Sequence, residues 1–208
     1  LLILYCYLVK HNYNKNDRDK SKCGKCVLSS TTLTRRKPKI IRVSTVPISL
    51  NVFCKGLLQE LSKDYEVAAV SSPGADLEEI EIREKVRTFA VSMRRQIALL
   101  HDLRSLWQLF WLFRREKPDM VHSITPKAGL LSMIAAKLAG VPIRLHTFTG
   151  LIWPTASGLK RKILVAMDKL LCICATHLNP EGQGVAHDLQ AHITHLSLIH
   201  ISEPTRPL

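Results

Sequence analysis

Short apolar runs alternate with longer amphipathic stretches between residues 39 and 179. Continuous apolar runs bounded by turn residues are typical of buried strands, whereas apolar positions recurring at three and four residues are typical of helices. The pattern predicts strands at 40–46, 65–70, 86–91, 119–124, 143–147 and 176–179, separated by helices at 53–61, 77–85, 99–113, 125–139 and 159–175. Because strands joined through helices need crossover connections, we predict an α/β fold with a Rossmann-like parallel sheet and helices on both faces.

The longest amphipathic segment carries large apolar residues at helical spacing. An aliphatic and aromatic stripe of this kind is typical of a helix face that is buried in the core, and is rarely a ligand site. We therefore predict core packing for the members of this stripe, which are Leu99, Leu103, Leu106, Trp107, Phe110 and Phe113.

In sheets of this kind, ligands bind beyond the carboxyl ends of the strands. The loops that leave those ends span residues 47–52, 123–127, 147–157 and 180–184. Thr125 and Pro126 are typical of a helix start, as N-cap and first-turn residues. Free amides at that start, with Lys127 beside them, would favour a phosphate or sugar phosphate. The candidate substrate-binding residues in these loops are Asn51, Ser123, Thr125, Lys127, Thr147 and Gly150.

The alternative interpretation of residues 118–129 is an ordinary capped helix next to a hydrogen-bonded His122. A second polar loop, residues 146–154, leaves the fifth strand at the same edge of the sheet. Two polar loops that converge at one edge favour a binding site over the ordinary helix.

Net charge is the most unusual property of the composition. The 208 residues contain 30 Lys and Arg against 17 Asp and Glu, a net charge of +13 that is typical of nucleic-acid-binding proteins. Residues 1–37, however, hold nine of the basic and two of the acidic residues, so they carry +7 of that excess. No recognised nucleic-acid motif occurs in the rest, and we therefore predict that the chain does not bind nucleic acid.

The two ends of the chain lack the alternating strand and helix pattern of the middle. Residues 1–37 place a polar, basic tract after an apolar run, the reverse of a secretory signal, so we predict a disordered or non-native leader, with a signal or anchor as the alternative. Residues 196–208 resemble the translation of a common sequencing adapter, and we predict a non-native tail. The predicted domain is therefore 38–195, and its cysteines are expected to be reduced and buried.

Several classes of enzyme are disfavoured by missing motifs. The loop after the first strand has no glycine, whereas a dinucleotide site needs G-x-G-x-x-G there. Walker, paired-histidine and G-x-S-x-G motifs are also missing, and no apolar run reaches the length of a membrane span. We predict neither a cofactor nor a metal.

Residues 39–194 resemble the N-terminal domain of glycosyltransferase family 4, in particular bacterial capsule or surface-polysaccharide transferases. Order and spacing agree together over about three quarters of the chain. The segments that carry the resemblance are residues 41–45, 118–123, 125–129, 146–150 and 158–162.

The resemblance implies the first half of a GT-B fold, in which this domain binds the acceptor and a second domain binds a nucleotide-sugar. It implies transfer with retention and without a metal, to an acceptor that is commonly a lipid-linked glycan at the inner face of the cytoplasmic membrane. It places the protein in the cytoplasm, peripherally on that membrane. Because the second domain with its paired glutamates is absent, we predict that this chain alone does not turn over.

Two positions depart from the family pattern. Many relatives have a second histidine two residues after His122, where this chain has Ile124, and a histidine where it has Thr149. The candidate catalytic residues are therefore His122, His146 and Thr149, with the replacement for the missing imidazole left open. Thr149 can donate a hydrogen bond but cannot act as an acid or base near neutral pH.

Basic residues on the helix predicted at 159–175 are either a solvated face or a contact with anionic lipid headgroups. These membrane-facing candidates are Lys160, Arg161, Lys162 and Lys169. The alternatives to a glycosyltransferase are a basic nucleic-acid-binding protein and a Rossmann-type sugar-nucleotide epimerase or dehydrogenase.

Overall fold

The computed structural model describes residues 36–96 and 98–193; except for Arg36 and Lys37, the predicted leader lies outside them, as does the predicted tail. Six parallel strands form one sheet in the order β3-β2-β1-β4-β5-β6. The strands are β1 (Lys39–Val43), β2 (Glu66–Ser71), β3 (Arg87–Ala90), β4 (Met120–Ser123), β5 (Ile143–Phe148) and β6 (His177–Pro180). The predicted Rossmann-like parallel sheet is confirmed.

Seven α-helices, and a short 3-10 helix at Trp153–Thr155, connect or follow these strands within the described residues. The α-helices are α1 (Pro47–Phe53), α2 (Leu57–Ser62), α3 (Ala75–Glu84), α4 (Leu99–Glu116), α5 (Pro126–Ala139), α6 (Gly158–Cys174) and α7 (Gln183–His192). Helices α1 to α3 bury Leu50, Leu58 and Ile80 against one face of the sheet. Helices α4 to α6 bury side chains such as Phe113 and Leu171 against the other. Both faces are therefore covered, as the sequence predicts.

The loop predicted at residues 47–52 is wrong, because this segment forms α1. Pro47 occupies the first turn, where its fixed φ favours a helix and its missing N–H costs no hydrogen bond. The predicted helix at 53–61 begins only at Leu57, since Gly56 adopts a left-handed conformation with φ +72°. Ser49 consequently approaches the carboxyl edge of the sheet from a helix.

The core stripe predicted on α4 is only half right, because Leu106, Phe110 and Phe113 pack in or against the core and the other three members do not. Leu99, Leu103 and Trp107 are exposed, and Phe113 is the one member of that stripe that is fully buried. The buried face consists of Ser105, Leu109, Leu112 and Phe113. These positions share one side of the helix, so Leu103 and Trp107, which lie on the other side, face solvent.

Three cysteines within the described residues, Cys54, Cys172 and Cys174, are free and buried, as expected. Between residues 36 and 193, omitting Ile97, none of the helices has the length and apolar content of a membrane span.

Candidate functional site

A cavity of about 370 Å³ opens at the carboxyl edge of the sheet. Its walls come from the segments after β1, β4 and β5 and from one side of α6. Strand order reverses between β1 and β4, and this switch point is where α/β sheets bind ligands. Most of the lining is apolar, including Val46, Leu130, Phe148 and Met167. The cavity therefore lies where the sequence predicts a site.

Two threonine side chains join the loops after β1 and β4 on the cavity wall. Thr125 is the N-cap residue of α5, but its side chain does not cap that helix. Its Oγ1 instead accepts a hydrogen bond from the Thr45 amide at 2.9 Å and lies 2.8 Å from the Thr45 Oγ1. The Thr45 hydroxyl in turn accepts from the Ala128 amide at 3.1 Å. Thr45 thus takes the capping role that the sequence assigns to Thr125.

Replacing Thr45 by valine should lower the free energy of unfolding by about 1–2 kcal/mol, because the Ala128 amide loses its acceptor at a helix start. Urea unfolding followed by circular dichroism measures this change. Thr155→Val is the matched control, since the exposed Thr155 hydroxyl donates only to the Ile152 carbonyl. An equal loss in both variants would contradict the capping role of Thr45.

His146 lies beneath the cavity rather than in it. Its Nδ1 is 2.7 Å from the Ser123 hydroxyl, and its ring meets Phe148 edge-on. Burial lowers the pKa of His146 to about 3, although the contact with Ser123 opposes the shift. Gly129 covers the ring so closely that a Cβ there would lie 2.4 Å from Cε1. His146 is therefore neutral near pH 7 and packed, and Ser123 is its partner.

His122 and Thr147 point to the opposite side of the sheet, toward the α1–α3 face. The His122 Nε2 lies 2.8 Å from the Thr147 Oγ1, which also accepts from the Asn179 amide group at 3.3 Å. Burial holds the pKa of His122 well below its ordinary value, and the positive charge of Arg42 lowers it further. These residues form a buried polar row across the sheet and do not line the cavity.

The other predicted substrate-binding residues are divided between the cavity and its surroundings. Gly150 and Lys127 line the cavity. The Lys127 ammonium, however, pairs with Asp102 at 2.7 Å and donates to the Gln96 carbonyl. The Asn51 side chain accepts a hydrogen bond from Arg83, outside the cavity lining. The lysine expected to bind an anion is therefore already paired.

Thr149 is the one exposed residue among the three catalytic candidates. The four basic residues of α6 predicted to face a membrane, Lys160, Arg161, Lys162 and Lys169, are all exposed as well. The Arg161 guanidinium also lies 5.8 Å from the centroid of the Trp153 ring at the cavity.

Sequence reasoning missed Asp168 and Trp153, the most distinctive polar pair of the cavity. Asp168 projects from α6, and burial raises the pKa of its carboxyl to about 6 even though the Trp153 side chain opposes that rise. Trp153 is buried, and its indole N–H interacts with the Asp168 carboxyl only weakly, short of normal hydrogen-bond geometry, and has no other partner among the described residues. The sequence does single out Asp168, because it is the lone acidic residue of α6 and lies on the same side of the helix as Leu164 and Leu171.

A carboxylate and an indole N–H in an apolar cavity can bind neutral hydroxyl groups, since one accepts and the other donates. Among residues 36–96 and 98–193 there is no group of three or more His, Cys, Asp or Glu side chains that could hold a metal ion.

Comparison with known proteins identifies relatives of the domain. Residues 50–192 match the model of the glycosyl transferase 4-like domain. A capsular polysaccharide biosynthesis glycosyltransferase, CapM, of Staphylococcus aureus is 36% identical over 155 residues, covering 74% of this chain and 40% of that protein. An Escherichia coli protein named UDP-Gal:alpha-D-GlcNAc-diphosphoundecaprenol alpha-1,3-galactosyltransferase is 33% identical over 154 residues, covering 70% of this chain and 38% of that protein.

Solved structures share the fold at low sequence identity. MurG of Acinetobacter baumannii superposes with a TM-score of 0.51 at 14% identity, covering 71% of this chain and 42% of that one. A UDP-N-acetylglucosamine 2-epimerase of Rickettsia bellii superposes with a TM-score of 0.58 at 16% identity, covering 75% and 42%. These neighbours establish the GT-B type of Rossmann-like fold and nothing about the reaction.

The chain spans about 40% of the length of the curated relatives that it matches most extensively. The family model nevertheless covers residues 50–192, which include the helices around the cavity and all of its lining except Thr45, Val46 and Ser49. The chain therefore belongs to the glycosyl transferase 4-like domain family.

Proposed function

We propose that this chain is the acceptor-binding part of a retaining glycosyltransferase that moves a sugar from a nucleotide-sugar to a lipid-linked glycan in surface-polysaccharide synthesis. The observation that carries the proposal is the cavity at the switch point, which combines a largely apolar lining with Asp168 and Trp153. Family membership supplies the reaction class, and the cavity supplies a place for the acceptor.

The acceptor class is suggested by the relatives and fits the cavity. The E. coli relative is named for an N-acetylglucosamine carried on diphosphoundecaprenol. Such an acceptor combines a sugar, a diphosphate and an apolar chain. Leu130 and Met167 offer apolar contact, while the Arg95 side chain, which forms no ion pair among the described residues, offers a positive charge to a diphosphate.

In this account the residues of the cavity bind and orient the acceptor. The Asp168 carboxylate accepts a hydrogen bond from an acceptor hydroxyl, and the Trp153 indole N–H donates one to an acceptor oxygen. The two buried histidines do not touch the acceptor and only support the site. His146 bonds to Ser123 below the cavity, and His122 bonds to Thr147 on the other face of the sheet. Thr149 remains free to contact the acceptor or donor at the rim.

Retention of anomeric configuration, independence of metal ions and donor binding by a second domain are parts of the same proposal, and each is supported by the family resemblance. It follows that this chain alone binds acceptor but does not transfer sugar. The protein would work peripherally on the inner face of the cytoplasmic membrane, where a lipid-linked acceptor is reached from the cytoplasm.

Fluorescence of Trp153 tests the acceptor proposal directly. The chain has three tryptophans, so the Trp107→Phe/Trp111→Phe double variant leaves Trp153 as the sole indole reporter. We expect a saturable change with farnesyl-diphosphate-linked N-acetylglucosamine and at least tenfold weaker binding of UDP-galactose. Equal or tighter binding of UDP-galactose would contradict the acceptor role, as would sugar transfer catalysed by this chain alone.

A sugar-nucleotide epimerase is the second candidate, because UDP-N-acetylglucosamine 2-epimerases share the fold. Fold alone does not discriminate between them, since one fold supports many reactions. The sequence relatives favour the transferase, and the titration with UDP-galactose, repeated with UDP-N-acetylglucosamine, separates the two hypotheses.

A further inference from the structure

Helix α4 turns a continuous apolar stripe away from the rest of the protein. Leu100, Leu103, Trp107 and Trp111 are 88%, 63%, 62% and 54% exposed. Their spacing of three and four residues places them on one side of α4, opposite the buried Leu109 and its neighbours. Scattered exposed apolar residues are ordinary, but a contiguous stripe with two tryptophans is typical of a binding surface.

The aromatic residues of this stripe contact one another. The ring centroids of Trp107 and Trp111 are 5.6 Å apart at an interplanar angle of 77°, and Phe110 lies 5.5 Å from Trp111. Leu138 of α5, also well exposed, borders the groove beside Trp107. The outward face of α4 therefore presents a patch of indole rings and leucines.

Charge on α4 is divided between its two sides. The arginines Arg104, Arg114 and Arg115 are exposed and flank the apolar stripe. Both acidic residues of the helix pair toward the protein, Asp102 with Lys127 at 2.7 Å and Glu116 with Lys39 at 3.1 Å. Glu116 also pairs with Arg115 at 3.3 Å, whereas Arg104 and Arg114 form no ion pair among the described residues. The outward face consequently combines indoles and leucines with guanidinium groups and carries no acidic side chain.

From these observations we propose that the outward face of α4 docks on a lipid bilayer with anionic headgroups. Indole rings settle at the boundary of headgroups and acyl chains, and arginines beside them pair with anionic phosphates. A protein partner could use the apolar stripe alone, whereas Arg104 and Arg114, which form no ion pair among the described residues, fit a negatively charged surface. The inference rests on the proposed function for its purpose, namely access to a lipid-linked acceptor.

The position of the stripe suits that purpose. Leu99 and Leu100 form the first turn of α4, and the same helix end is tied to the cavity wall by the Asp102–Lys127 ion pair. Arg95, which lines the cavity, precedes the helix by four residues. A bilayer on α4 would therefore lie beside the cavity mouth.

Vesicle co-sedimentation of the whole chain tests the docking surface. We expect binding to vesicles of phosphatidylglycerol and phosphatidylcholine, weaker binding to phosphatidylcholine alone, and weakening by salt. Trp107→Gln/Trp111→Gln should lower the partition coefficient at least tenfold. Arg104→Gln/Arg114→Gln/Arg115→Gln should lower it on anionic vesicles only, by about fivefold for each of Arg104 and Arg114 and by less for Arg115, which pairs with Glu116.

Two matched variants keep the test specific. Ile82→Ser/Val52→Ser removes exposed apolar side chains from α3 and α1, and should bind vesicles as the parent does. Lys160→Gln/Arg161→Gln/Lys162→Gln removes the same charge from α6, and should weaken binding less than the triple variant on α4. Residues 1–37 are common to all variants, so their charge affects each measurement equally.

Three outcomes would overturn the proposal. They are no vesicle binding by the parent chain, a larger loss in the α6 variant than in the α4 variant, and self-association without lipid that Trp107→Gln/Trp111→Gln abolishes. The last would identify a second copy of the chain as the occupant. The vesicles contain no acceptor. A failure to bind them would therefore say nothing about acceptor binding, which the Trp153 titration tests separately.

Discussion

Gly129→Ala should unfold at markedly lower urea concentration than the parent chain. A Cβ at residue 129 would lie 2.4 Å from Cε1 and 2.7 Å from Nδ1 of His146, and 2.9 Å from a methyl group of Leu171. The imidazole is fully buried and bonded to Ser123, so it cannot move aside cheaply. We expect a loss of about 1–3 kcal/mol, typical of overpacked cores, even though alanine favours a helix more than glycine does.

Gly184→Ala is the matched control for this prediction. Gly184 also lies in a helix, α7, but a Cβ there meets nothing within 4 Å. The control should be neutral or slightly stabilising. If both glycine variants unfolded alike, the close contact between α5 and the His146 ring would not be the cause. Gly129→Ala should cost less in a His146→Ala background than in the parent chain, because the imidazole that clashes has been removed.

Asp168→Asn should stabilise the protein above pH 6 and weaken acceptor binding. Burial raises the pKa of Asp168 to about 6, so between its unfolded and folded pKa values the folded state binds more protons. Stability from this carboxyl is therefore full below about pH 4 and is lost as pH rises through about 6. The side chain is partly solvated, so we expect a gain of only about 1–2 kcal/mol for asparagine at pH 7.

The difference between Asp168→Asn and the parent should grow from near zero at pH 4 to its full value at pH 7. Differences must be compared because neutral, buried His122 and His146 have the opposite effect, losing stability as pH falls below about 6.5 in both proteins. Urea titrations between pH 4 and pH 7 measure the difference in the free energy of unfolding between the two proteins. Glu78→Gln, an exposed carboxyl on α3, should leave the profile unchanged.

Acceptor affinity of the same variant should fall about tenfold at pH 7, because the amide no longer offers a charged acceptor to a hydroxyl group. The loss should shrink below pH 6, where the parent carboxyl is itself protonated. An asparagine variant that is less stable than the parent and binds acceptor equally well would contradict the role assigned to Asp168.

The alternation of strands and helices was predictable because it depends on local patterns. Residues 40–43 are rich in β-branched side chains, as strands are, and Gly140 ends α5 with φ +78°, as a glycine at that position should. Pro47 was misread as a loop residue because proline serves equally well in a loop and in the first turn of a helix.

The details of the site depend on contacts that no local pattern contains. Thr45 caps α5 across 83 residues of sequence, and Asp168 reaches the same cavity from α6. Which side of α4 faces the core is decided by the packing of α5 and the sheet, so the sequence predicted the helix but only part of its buried face. His122 and His146 lie on the neighbouring strands β4 and β5, but the alternation of side chains along strands sends them to opposite faces of the sheet.

Photo-crosslinking tests the central claim that the cavity binds the acceptor. A farnesyl-diphosphate-linked N-acetylglucosamine carrying a diazirine on the prenyl chain would be irradiated with the chain and the labelled peptides sequenced by mass spectrometry. We predict label on Ile152, Leu164 or Met167, lost on competition with the unmodified analogue and reduced in Asp168→Asn. Competed label confined to α1–α3, or to the outward face of α4, would contradict the account.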